Sequence, residues 1–267
     1  FTILFMFWSI SMLAKKILQR KSRDWSKSDQ IAALGAGAIG ALAYAFSDSF
    51  WFSAVEGEVY AMSSLFTAII FWAILKWDHE MTAIKAGELS KDVRPMRWMI
   101  LIMFLFGLAI GVHLLGLLVV PAIAFVMYFQ MWEKTTLKGI ILTGLISVAA
   151  LGFIQEGIIP GLVAMASGFE VTFVNSMGMP FYTGTIFFFI LLILAVLWGI
   201  RYTIRKQKVL LNTIIWSFVV LVIGYGSFAV IVIRSQANTP LDENDPENLV
   251  TLHAYLKREQ YGSWPIL

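Results

Sequence analysis

Hydrophobic residues along this chain come in long blocks, not in the alternation of a half-buried strand or the narrow stripe of a soluble helix. Eight apolar segments, at approximately 1–14, 30–48, 58–77, 98–112, 113–131, 139–155, 183–200 and 209–233, are bounded by charged or turn residues. Most approach the roughly 20 residues that a bilayer core requires of a helix. The pattern predicts an all-α, polytopic helical membrane protein of about eight membrane segments. The run from Trp98 to Trp132 is too long for one crossing and short for two. It is expected to form a tight hairpin of short helices turning near Gly111 and His113, which is tolerated at membrane depth only where the backbone is buried or solvated.

Composition agrees with this class. Hydrophobic residues make up 59% of the chain and charged residues 14%, with a mean hydropathy of +0.78, beyond what a soluble domain of this length carries. There is no cysteine, which removes disulfides, zinc-thiolate sites and thiol nucleophiles. Seventeen of the twenty basic residues fall in the first, third, fifth and seventh connections, among them Lys15, Arg23, Lys76, Lys91, Arg97, Lys134 and Arg201. Positive loops face the cytoplasm, so both chain ends, the Glu56/Glu58 segment and the long 156–182 connection are expected outside it. The outward segments carry ten acids, from Asp48 to Glu259. Topology explains the basic loops, and no nucleic-acid partner is expected.

Residues 1–234 read as a membrane domain and 235–267 as the start of an extracytoplasmic region. FTILFMFWSISMLAKK places its lysines after its apolar run, the reverse of a signal peptide. It reads as the tail of a span. In the C-terminal region, Asp245-Pro246-Glu247 predicts a helix start, with Leu249, Leu252 and Leu256 on one stripe, Lys257 and Arg258 in the last turn and Gly262 as the stop. Trp264-Pro265-Ile266-Leu267 reads as the lead-in to a further element, so the chain is expected to be cut from something longer at both ends.

Candidate chemistry begins with SFWFSAVEGEVYAMSSL, residues 49–65, which sets Glu56 and Glu58 at the mouth of an apolar helix between aromatic residues. Ionisable groups at a membrane span are costly and mark functional pathways or cavities. Ser53 and Glu56 are also spaced as a capping box, which leaves Glu56 balanced between cap and catalytic residue. Glu58 has no such structural account. His113, at the expected outer turn, suits either a satisfied core histidine or ligand binding and proton handling. Arg234 ends the last span, where it can snorkel or bind a lipid phosphate. Gly35-Ala36-Gly37-Ala38-Ile39-Gly40 has dinucleotide-loop spacing but lies inside an apolar span with no strand before it. Ala33, Gly37, Ala41 and Ala45 instead predict a small-residue ridge for close helix packing. There is no H-x-x-E-H, Walker loop or Ser-His-Asp spacing, no residue is assigned as a metal ligand and no cofactor is expected.

Residues 49–65, the hairpin GLAIGVHLLGLLVVPA from Gly107 to Ala122, and the tail NTPLDENDPENLVTLHAYLKREQYGSWPIL resemble a bacterial family of polytopic membrane proteins related to the transmembrane protein O-mannosyltransferases, placed in the GT-C superfamily. The resemblance covers essentially the whole chain, and Arg258-Glu259-Gln260-Tyr261-Gly262 is its most specific part. It implies a GT-C-like bundle in the bacterial inner membrane. It also implies transfer of a sugar, mannose in the related enzymes, from a polyprenyl-phosphate donor to a protein or other hydroxyl acceptor outside the cytoplasm. The family's Glu-x-Tyr element maps onto Glu58 and Tyr60, and its hairpin histidine onto His113. By that mapping Glu58 and Glu56 polarise or orient, Tyr60 and His113 hydrogen-bond sugar or phosphate, and Arg234 meets the carrier's charge, the three parts converging on one cavity. The principal catalytic carboxylate of such enzymes lies in the first outer loop and is expected upstream of Phe1, so this stretch alone is expected to be inactive.

Two other classes fit the spans. A secondary transporter would place ionisable groups near mid-bilayer and paired broken helices in a repeat; neither pattern is present. A non-catalytic membrane scaffold of an envelope assembly would need only the spans and the outer tail.

Overall fold

The computed structural model describes residues 1–21, 25–90 and 94–262, with the side chains of Arg20 and Lys21 left out. Arg23, Lys91 and the Trp264-Pro265-Ile266-Leu267 lead-in lie outside the described residues. The described residues contain helices and no strand. In chain order the helices are α1 (Thr2–Lys21), α2 (Lys27–Ala45), α3 (Asp48–Val55), α4 (Tyr60–Lys85), α5 (Met96–Ile110), α6 (Val120–Met131), α7 (Leu137–Gly152), α8 (Ile159–Val171), α9 (Thr183–Arg205), α10 (Val209–Tyr225), α11 (Ala229–Ser235) and α12 (Leu249–Lys257).

Among the described residues, six helical stretches are long and apolar enough to cross a membrane, and the bent pair α2 and α3 makes a seventh. With the shorter apolar α5, these correspond one to one with the eight blocks of the sequence. The hairpin forms where expected, with α5 ending at Ile110, a turn through Gly111 and Val112, and a 3-10 segment, Leu114–Val119, leading into α6.

One boundary moves. The 156–182 connection is helical as far as Ser176, continuing α7 through a π-helical turn (Phe153–Ile158), α8 and a second π-helical turn (Thr172–Ser176). Pro160 lies inside this continuous helical run, at the start of α8, and the wider π turn just before it accommodates the N–H that proline removes from the ladder.

Contacts divide the chain into two compact units, Phe1–Ser147 with Val220–Gly224, and Val148–Val219 with Tyr225–Leu267. The first is built around α4, whose Ile70, Ala73, Ile74 and Trp77 are fully buried. From α5, Ile102, Phe106, Ala109 and Ile110 join the same core. The small-residue ridge on α2 packs as expected: Ala33, Gly37 and Ala41 are buried, and a β-carbon on Gly37 would lie 2.1 Å from Ser11 Oγ and 2.9 Å from the Phe7 carbonyl oxygen of α1. A residue larger than glycine would force the two backbones apart. Ser26 and Asp29 form a capping box at the start of α2.

The second unit holds α8, α9, α11 and α12. Glu170 of α8 is 4% exposed and accepts hydrogen bonds from the backbone N–H of Tyr182 at 2.5 Å, the N–H of Thr185 at 2.8 Å and the Thr185 hydroxyl at 2.9 Å. It therefore serves as the anionic cap of α9, placed where the helix has unpaired N–H groups and a positive dipole end. Gly184 permits that approach, because a β-carbon there would stand 2.4 Å from the Phe169 carbonyl oxygen.

The tail helix begins later than its proline suggested. Asp245 has a positive φ of 47° and lies outside any helix, and Asn248 caps α12 in a capping box with Thr251. An Asn side chain that reaches two helical N–H groups outweighs a proline with a left-handed residue before it. Leu252 is buried, Leu249 and Leu256 are half-buried, and Lys257 occupies the last turn, so the apolar stripe stands.

Candidate functional site

The two ends of α4 treat their charges differently. At the C-terminal end, Asp78 and Glu80 are 6% and 8% exposed and both are engaged. Asp78 pairs with Lys16 of α1, and Glu80 with Arg97 of α5 at 2.7 Å. Gln130 of α6 donates to the Asp78 carbonyl oxygen and to Thr82 Oγ1, each at 2.9 Å. The two buried carboxylates tie α4 to α1 and α5, and the Gln130 amide ties it to α6. A lone buried charge would cost several kcal/mol, and pairing removes most of that penalty. The apolar block at 58–77 stops just short of this cluster. The consecutive ionisable residues Asp78-His79-Glu80 beside an apolar run were the available signal.

At the N-terminal end the carboxylates are free. Glu56 and Glu58 are exposed in the turn between α3 and α4, and among the described residues neither side chain has a hydrogen-bond or ion-pair partner. The capping box expected of Ser53 and Glu56 does not form. Ser53 lies within α3 and donates its hydroxyl to the Ser49 carbonyl at 2.8 Å, while Glu56 is the C-terminal cap residue of that helix. A bend of 62° between α2 and α3 turns residues 48–55 into a separate short helix, so Ser53 never reaches a helix start. α4 begins at Tyr60 with no side-chain cap.

Tyr60 and His113 are brought together, their ring centroids 5.4 Å apart at 54°. His113 is half-buried, stands at the N-cap of the 3-10 segment, and accepts the Leu115 N–H on Nδ1 at 3.0 Å. A neutral imidazole that accepts on one nitrogen carries its proton on the other, so Nε2 is the donor. Glu58 lies two residues before Tyr60. Carboxylate, phenol and imidazole thus belong to one end of α4 and its facing turn.

A cavity of about 430 Å³ opens among α1, α4 and the 3-10 segment, lined by Leu115 and Leu118 on one side and by Thr2, Ser64, Thr67 and Phe71 on others. It is mostly apolar with a few hydroxyls. Ser64 lies one helical turn beyond Tyr60, and Leu115 is the residue hydrogen-bonded to His113.

Arg234 belongs to the second unit. It is exposed in the last turn of α11. The next residue, Ser235, is buried and donates to Asp242 at 2.8 Å, which fastens the start of the tail.

Comparison with known proteins places these residues in a family. The chain matches the family described as "Protein O-mannosyl-transferase TMEM260 N-terminal domain" over residues 1–136. The match contains Glu56, Glu58, Tyr60 and His113, and stops before Arg234 and the tail. No curated protein and no solved structure matches the chain significantly. With just over half of its 267 residues matched, the chain belongs to the family of the protein O-mannosyl-transferase TMEM260 N-terminal domain.

Proposed function

We infer that the full-length protein is a membrane glycosyltransferase of the GT-C type, acting in a bacterial inner membrane. It transfers a sugar, in keeping with the family description a mannose, from a polyprenyl phosphate to a protein hydroxyl on the extracytoplasmic face. Residues 1–234 form its membrane part, and residues 235–267 begin an extracytoplasmic region. The observation that carries the reading is the Tyr60–His113 ring pair, with the unpartnered Glu58 two residues before Tyr60 in the chain, all inside the matched region.

In the reaction, the bond between the sugar's anomeric carbon and the carrier phosphate breaks, and its electrons leave with the phosphate. The acceptor oxygen forms the new bond from the opposite face and gives its proton to a carboxylate base. Glu58 accepts a hydrogen bond from a sugar or acceptor hydroxyl and orients it, with Glu56 beside it in the same turn. Tyr60 and the Nε2–H of His113 donate to sugar or phosphate oxygen. A donor that strengthens its bond as negative charge grows on the leaving phosphate lowers the barrier directly. The apolar cavity beside His113 takes the first isoprene units of the carrier. In the second unit, Arg234 supplies a guanidinium suited to a phosphate.

The test is transfer by the full-length protein from a polyprenyl-phosphate mannose to a Ser/Thr peptide. Wild-type protein should transfer. Glu58→Gln should lower kcat severely in a protein that still folds, and Arg234→Ala should raise the donor's KM more than it lowers kcat. Unchanged turnover in Glu58→Gln refutes the assignment of Glu58, and a wild type inactive with every lipid-linked sugar refutes the reaction.

A further inference from the structure

At the other end of α4, away from the Glu58 turn, a groove of about 460 Å³ runs between α1, α2 and α4. Its walls are mostly apolar, with Phe7 and Trp8 from α1, Leu34 from α2 and Trp72 from α4, while Ser11 and Gln30 add polar atoms. Two lysines, Lys15 and Lys76, stand in its lining. Among the described residues neither is paired with a carboxylate, whereas Lys16 next to them is already committed to Asp78.

Aromatic rings hold both ammonium groups at the groove. Lys15 Nζ lies 5.6 Å from the centre of Trp25, and Lys76 Nζ lies 6.0 Å from Trp72 and 5.9 Å from Trp98. Trp72 and Trp98 meet edge to face at 5.5 Å. Tryptophans and lysines at the end of a span form the usual belt at headgroup depth. Here they also frame a recess between helices, with two uncompensated positive charges and hydrocarbon-like walls. An adjoining cavity of about 230 Å³ shares Lys15 and Lys76 and contains Asp78 and His79, but the Asp78 charge is taken by Lys16.

A ligand complementary to this arrangement carries an anion at one end and a hydrocarbon chain behind it. We propose that the groove between α1, α2 and α4 is a binding site for an anionic phospholipid, with the phosphate between Lys15 and Lys76 and an acyl chain along Phe7, Trp8, Leu34 and Trp72. A soluble phosphate compound would leave those walls facing polar atoms and gains nothing from them. The lipid uses both parts. The site is separate from the Glu58, Tyr60 and His113 group, so the inference stands apart from the glycosyltransferase reading.

The experiment places the full chain in nanodiscs containing equal amounts of phosphatidylglycerol and phosphatidylcholine with the same acyl chains, and reads the retained lipid by native mass spectrometry. Wild-type protein should retain phosphatidylglycerol preferentially. Lys15→Gln and Lys76→Gln should each reduce that preference about fivefold. Lys138→Gln, on α7, should leave it unchanged. Equal retention of the two lipids by the wild type overturns the proposal, as does full preference in the double variant. Should the double variant fail to fold, photo-crosslinking of a phosphatidylglycerol probe to the wild type decides. Adducts on peptides containing Phe7–Lys15 and Trp72–Lys76 support the site, and adducts confined to other peptides overturn it.

Discussion

The ring of Tyr60, the first residue of α4, lies 5.4 Å from the imidazole of His113, which opens the 3-10 segment of the hairpin. Each residue sits at the end of a helical element, so the contact joins two chain reversals at one point. Double-mutant analysis of the full-length enzyme should find the pair coupled. Tyr60→Leu and His113→Ala should each reduce kcat/KM, and the double variant should lose less than the product of the two, by a coupling of about 1 kcal/mol. Strict additivity would show that the two groups do not act as a unit.

Helix packing in the first unit hinges on Gly37. Replacing it with Leu sets new atoms against Ser11 Oγ and the Phe7 carbonyl, and overpacking of this kind costs about 1–3 kcal/mol or more when backbone blocks the way. Thermal unfolding in detergent should fall clearly for Gly37→Leu. Gly35, which has open space beside it, should accept Ala with little change. Equal losses at both positions would contradict the close approach of α1 and α2.

In the second unit the three hydrogen bonds accepted by Glu170 end α8 and start α9 together. Glu170→Ala should destabilise by about 1–2 kcal/mol, the scale of a lost helix cap. Thr185→Val removes only the hydroxyl bond and should cost less. A melting temperature unmoved by Glu170→Ala would mean that water caps α9 equally well.

Orientation rests on the distribution of lysine and arginine between alternate connections. Cysteines introduced at Ser53 and at Asn244 should react with a membrane-impermeant maleimide applied from outside, and one at Ser26 should react only after permeabilisation. External labelling at Ser26 would invert the topology.

Much of the bundle is legible in the sequence because a bilayer imposes a length. An apolar block near 20 residues bounded by charge has few alternatives to a span, and the eight blocks reappear as eight helical stretches. The α2 ridge was equally readable, since small residues four apart share one helix face. Local signals that depend on where a helix starts did not carry over. Ser53 and Glu56 have capping-box spacing, yet the bend after Ala45 places both in or at the end of α3. Asp245-Pro246-Glu247 has the composition of a helix start, yet Asn248 reaches two N–H groups and takes the role.

Sequence by itself determined the all-helical membrane class and the hairpin turn at His113, because apolar block length and turn residues are local properties of the chain. Only the tertiary structure separated, among the described residues, the buried and partnered carboxylates from the exposed and unpartnered ones. Asp78 finds Lys16 from 62 residues away and Glu80 finds Arg97 from 17, while Glu170 is consumed by the start of α9. Whether a buried acid is neutralised depends on which donor the fold brings within about 3 Å. Residue type and spacing along the chain do not encode that distance, and packing between helices sets it.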